Sequence, residues 1–263
     1  MTMKITKLGI MLLLLLAVGG CQTDAVSSGQ PAKSPQQLLG EQPIDHAHDA
    51  FLVDTGGRLG TLLVTAELTA AYKDEFGTQD ITFAVWDPAN PAQPFQTFTE
   101  EVMLGIAPEY HQVVDANFDG FLDFGYLFHA GNQPHYFHFW LWNEQQRKFT
   151  YCAPMVEISA PAFDEERQLV VGWARSSGAG DGIFTLHRWE DGEPVCVRRV
   201  ESSAPWEKPG FVSVQERVDG ELRQIYHEEF PWNGEEPEGQ ETWRQAFYLW
   251  CDLDYHGEAA EEN

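Results

Sequence analysis

The sequence predicts an all-β protein, an irregular β-propeller-like array of antiparallel hairpins, with a β-sandwich as the alternative architecture. Short apolar or alternating runs recur between clusters of Asp, Asn, Gly and Pro, the pattern of strands separated by turns. Asp191-Gly192 and Asp219-Gly220 stand between β-rich runs, where glycine accepts the positive φ of a tight hairpin turn. No amphipathic helix of ordinary length interrupts the runs, and residues 70–76 offer at most one helical turn.

In chain order the predicted strands cover residues 61–68, 81–86, 95–102, 124–129, 136–142, 149–152, 169–174, 183–189, 195–200, 211–218, 222–230 and 243–250. Four pairs read as hairpins of related pattern: 83–86 into 95–98, 139–142 into 149–151, 186–189 into 195–197, and 214–218 into 222–225. The stretch His135-Tyr-Phe-His-Phe-Trp-Leu-Trp142 is apolar on both faces and predicts a central strand covered on both sides.

The N-terminus sets the domain boundaries. Lys4 and Lys7 precede an apolar run at residues 8–18 that is too short to cross a bilayer. Val18-Gly-Gly-Cys21 follows and resembles the lipobox of bacterial lipoproteins. That resemblance implies a signal peptide at residues 1–20 and lipidation of Cys21. Gln22 follows the cysteine instead of an aspartate, so the expected address is the outer membrane, facing the periplasm. Acyl chains anchor at about 0.8 kcal/mol per buried CH₂. Residues 21–44, rich in Gln, Ser, Pro and Gly, read as a flexible tether, and residues 45–263 as one domain with an acidic tail.

Forty-one acidic residues against sixteen basic ones give a net charge of −25. Such a surface excludes charge-driven binding to nucleic acid and favours cations and basic proteins. Cys152, Cys196 and Cys251 fit no zinc spacing; in an oxidising compartment they predict one disulfide and one leftover thiol. His135 and His138 fall on opposite faces of a strand, and His46 and His48 stand at the edge of the tether, so neither pair reads as a ligand set. No nucleophilic serine motif occurs, and the glycine-rich stretch at residues 176–182 lacks the lysine of a phosphate cradle. The expectation is a protein that is not an enzyme.

The most specific motif is Asp115-Ala-Asn-Phe-Asp-Gly-Phe-Leu-Asp123. Asp115, Asn117, Asp119 and Asp123 place side-chain oxygens at the spacing a tightly wound calcium loop requires. Gly120 stands where the loop must turn sharply, and the Phe121 carbonyl takes the seventh position. Position twelve is Tyr126 instead of the EF-hand glutamate, and the flanks read as strands, so calcium is expected in a loop between β-strands.

From about residue 110 to residue 200 the chain resembles a family of bacterial periplasmic proteins and lipoproteins. The resemblance is carried by the 115–123 loop, the aromatic strand 136–142, Phe149, the stretch 161–169, Trp173-Ala-Arg175 and Phe184 to Gly192, in that order. It implies a calcium-binding, β-propeller-like fold with Asp115, Asn117, Asp119 and Asp123 as ligands. Family members include immunity proteins that neutralise peptidoglycan-cleaving effectors, in a role like that of lysozyme inhibitors. The expected partner is therefore a basic peptidoglycan hydrolase or another periplasmic protein; the alternative is a structural envelope lipoprotein stapled by calcium. A hydrolase using paired carboxylates is the third reading, with no pair singled out.

Overall fold

The computed structural model describes residues 33–45, 47–103, 110–130, 135–175, 181–203, 209–230 and 245–251. The expected signal peptide and lipobox with Cys21, His46, residues 176–180 of the glycine-rich stretch and the expected acidic tail lie outside the described residues.

Three antiparallel sheets follow one another along the chain. The first has the order β1 (His48–Asp54), β2 (Thr61–Leu68), β3 (Gln79–Trp86), β4 (Gln96–Val102). The second runs β5 (His111–Val114), β6 (Asp123–Ala130), β7 (His135–Asn143), β8 (Lys148–Tyr151). The third is six-stranded and runs β9 (Ala162–Asp164), β10 (Leu169–Arg175), β11 (Gly182–Glu190), β12 (Glu193–Ser203), β13 (Gly210–Val218), β14 (Glu221–Phe230). Each strand pairs with its neighbours in sequence, so each sheet is an antiparallel meander of hairpins. The all-β expectation holds. Two hairpins close as the sequence predicts, with positive φ at Asp191 and Gly192 and again at Asp219 and Gly220.

β7 joins two cores. Its Trp140 and Trp142 enter a cluster with Phe51, Phe83 and Val85 of the first sheet and Phe124 and Phe149 of the second. Its Phe137 and Phe139 point the other way, into a cluster with Met155, Ile158 and Val170. Successive side chains of a strand alternate faces, so a run that is apolar throughout must be covered on both sides. Phe83, Phe124 and Phe139 are fully buried, each contributing about 1.5–3 kcal/mol by leaving water. A third cluster holds Phe184, Leu186, Val200, Val212 and Val214 together with Phe247.

The structure corrects three expectations. Residues 245–250 are helical instead of a strand, and Phe247 is buried while Tyr248 and Leu249 are exposed, a helical rather than a two-residue rhythm. Residues 70–76 form bends and turns, because Asp74 Oδ1 accepts from the N–H groups of Phe76 and Thr78 and closes the chain locally. The described residues begin with a short helix ahead of β1. There Ser34 and Gln37 form a capping box on helix α1 (Pro35–Leu39), and Leu38 is buried against Ala50 and Leu63. Finally, Cys152, Cys196 and Cys251 are all free thiols. Cys152 packs in the cluster around Met155 and Cys251 against the cluster around Phe184, so these two thiols belong to different cores.

Candidate cation loop

The 115–123 segment connects β5 to β6 as predicted, and its backbone winds tightly. Phe118 has φ 60° and Gly120 has φ 89°, two left-handed residues within one short loop. Only glycine adopts this conformation without a Cβ penalty, which explains Gly120; Phe118 carries the strain.

The loop folds around its acidic side chains. Asp115 Oδ1 accepts from the Asp119 N–H at 3.0 Å and Asp115 Oδ2 from the Gly120 N–H at 2.8 Å. Asn117 Oδ1 also accepts from the Asp119 N–H, at 3.3 Å, and Asn117 Nδ2 donates to Asp119 Oδ2 at 3.0 Å. Asp119 Oδ1 accepts from the Phe121 N–H at 3.0 Å. The sequence therefore brings Asp115, Asn117 and Asp119 together, with the Phe121 backbone in the same turn.

Asp123 has a different environment. It is fully buried, and its two oxygens accept from the Ala116 N–H at 2.9 Å and the Trp142 N–H at 2.7 Å. Burial pushes its carboxyl up to about 8; the two N–H donors pull it down, and the charges of Asp119 and Asp115 push it further up. Ala116 is itself anchored, since its carbonyl accepts from Trp189 Nε1 at 2.7 Å. Sequence reading missed the tie to Trp189, which spans 73 residues and has no local signature.

Tested against calcium, the loop offers the right oxygen donors on a suitably wound backbone. No three His, Cys, Asp or Glu side chains converge as a ready metal cluster among the described residues. The oxygens turn instead toward the loop's own N–H groups. A carboxylate oxygen has two lone pairs, so an N–H on one leaves the other for a cation. Asp115, Asn117, Asp119, the Phe121 carbonyl and Asp123 are the donors that would hold the ion.

No family model matches the chain. No curated protein matches it. Among solved structures it is similar to one described as the structure of a Xanthomonas type IV secretion system related protein, with 13% identity and a TM-score of 0.47 over 70% of this chain and 96% of that chain.

The remaining predicted positions are dispersed. His135 and His138 both lie on β7. His138 is nearly buried against Phe128, ring centroids 4.2 Å apart, and burial lowers it to about 4. His48 Nδ1 lies 3.0 Å from Asp45 at the start of β1.

Proposed function

We propose that this chain is a lipid-anchored envelope β-protein whose 115–123 loop holds calcium and whose rigid surface docks a protein partner, with a basic peptidoglycan hydrolase as the partner class. The protein does no chemistry of its own in this reading, and Cys21 carries the anchor. The observation that supports it is that one short turn winds the side-chain oxygens of Asp115, Asn117 and Asp119 together, next to the buried carboxylate of Asp123. Calcium would neutralise that charge and fix the loop. The net charge of −25 would steer a basic partner.

Thermal melting tests the calcium half. At one hundred times Kd, calcium stabilises by about 2.7 kcal/mol, a rise of about 5–10 °C in a domain of this size. Asp119→Ala should remove that rise; melting curves indifferent to calcium and to chelator would sink the reading. The partner half is tested by affinity capture from periplasm followed by lysozyme inhibition assays, where recovery of no wall hydrolase counts against it.

A second reading, a structural envelope lipoprotein with a stapled fold, is favoured by the buried bonds of Asp123 to Ala116 and Trp142, which tie the loop to β7 regardless of any partner. It predicts an envelope-integrity phenotype on deletion without any challenge by a rival cell or lysozyme.

A further inference from the structure

β1, β5 and β9 each lead their sheet and each lies at its edge. Residues on or beside these three strands border one cleft of about 1000 Å³, large enough for a ligand of several residues' size. Its wall carries Asp45, His48, Asp49, Tyr110, His111 and Tyr126, and no lysine or arginine among the described residues.

Two of these groups are held in place. His111 Nδ1 lies 2.8 Å from Asp49 Oδ2, and the His111 ring stacks on Phe51 with centroids 4.2 Å apart and planes 14° apart. Tyr126 is 3% exposed and packs edge-on against Phe83 at 5.1 Å. Among the described residues its hydroxyl has no hydrogen-bond partner. The sealed, unpartnered side-chain atoms of the interior are ring nitrogens of His138 and His187. The Tyr126 hydroxyl therefore reaches open space, and that space is the cleft it lines. Burial first, then Asp49 and Tyr110, hold the phenol well above its usual range, so it stays a neutral donor and acceptor.

The wall thus combines carboxylate, imidazole, hydroxyl and aromatic faces, with no lysine or arginine among the described residues. An anionic ligand would meet the carboxylates of Asp45 and Asp49 with no lysine or arginine of the wall to offset them. A transition metal lacks a converging ligand set, since no three His, Cys, Asp or Glu side chains gather among the described residues. A cationic nitrogen group meets every requirement. It donates to Asp49 and to the Tyr126 oxygen, and it lies favourably over tyrosine faces. We propose that this cleft binds the ammonium or guanidinium group of an amine ligand, supplied either as a free small amine or as a basic side chain of a peptide.

The site uses none of the calcium loop's donors, so the two readings fail separately. The test is calorimetric titration of the full chain with arginine amide, putrescine, an arginine-containing tripeptide and a neutral chitin trisaccharide, each with calcium and with chelator. Saturable binding of at least one amine is expected, equal in both conditions. Asp49→Asn should weaken it by about tenfold or more, as expected for a hydrogen bond to a charged group, and Tyr126→Phe by about threefold to tenfold. Because Tyr126→Phe removes only an unpartnered hydroxyl, its melting temperature should match the parent, which keeps the test valid if Asp49→Asn misfolds. Arginine amide binding as tightly as the tripeptide identifies a free amine; a clear gain for the tripeptide identifies a basic side chain. No saturable amine binding, amine binding untouched by both substitutions, or binding of the trisaccharide alone would each overturn the proposal.

Discussion

The backbone N–H of Trp142 donates to Asp123 Oδ1 at 2.7 Å, so one carboxylate joins the end of the acidic loop to the strand that separates two cores. The other oxygen of Asp123 accepts from the Ala116 N–H, and both Asp123 and Ala116 are fully buried. Asp123→Ala therefore strands two buried donors, at about 1–3 kcal/mol each. Urea denaturation without calcium should show a loss of about 2–5 kcal/mol. Asp119→Ala, an exposed position, should lose less than about 1 kcal/mol in the same measurement. Equal losses would mean that Asp123 is only a cation ligand and not a structural tie.

Gly125 pairs across β6 and β7 with Phe139, whose ring lies over it. A Cβ at Gly125 would meet that ring at 2.5 Å, and Phe139 is fully buried with no room to withdraw. Gly125→Ala should cost about 1–3 kcal/mol by overpacking. Combining it with Phe139→Leu should cost less than the sum of the two single changes. Additive costs from a double-mutant cycle would show that the ring does not define the need for glycine.

Strands and turns were legible because their causes are local. Alternation and apolar runs placed β2, β3 and β7 nearly to the residue, and the Asp-Gly pairs placed two hairpins. Residues 243–250 misled because Trp, Phe, Tyr and Leu have high strand propensity, whereas the third core selects one helical face, that of Phe247 and Trp250. Helix α1 escaped because only five residues carry it, and its stability comes from Leu38 docking on β1 and β2 instead of from a repeated pattern. At the loop, composition exposed Asp115, Asn117, Asp119 and Asp123. It could not show that Asp123 differs from the others, because its burial is created by β7. The Asp49–His111 pair spans 62 residues and left no trace in the sequence.

Arg198 and Glu216 form a buried pair across β12 and β13: Arg198 Nε and Nη2 both donate to Glu216 Oε1, at 2.8 and 2.5 Å. The guanidinium also lies 5.8 Å from the Trp250 ring centroid, which fastens the helical segment 245–250 to the third sheet. Glu216→Ala takes away the carboxylate that both guanidinium nitrogens bond in the interior, so it should destabilise by about 2–5 kcal/mol. Replacing both, Arg198→Met with Glu216→Leu, should recover most of that loss. A double variant as unstable as the single one would show that the pair is required for packing beyond its charge.

His187 supplies a pH test that needs neither calcium nor a partner. It is buried on β11, its ring nitrogens make no hydrogen bond of good geometry, and burial lowers it from 6.5 to about 4 while the nearby Pro194 carbonyl pulls it back only in part. The unfolded chain takes up a proton near pH 6.5 while the folded chain refuses it until about pH 4. Stability from this group is thus fully present above pH 6.5 and declines as pH falls toward 4, by about 1.4 kcal/mol per pH unit at most. His138 follows the same sign, since burial also lowers it to about 4. His187→Phe removes one titration and two poorly satisfied buried polar atoms. The variant should match or exceed the parent at pH 7.5, and its loss of stability between pH 6.5 and 4.5 should be smaller by about 2 kcal/mol. Urea denaturation at both pH values checks it; an unchanged acid loss would mean that His187 is protonated in the folded state.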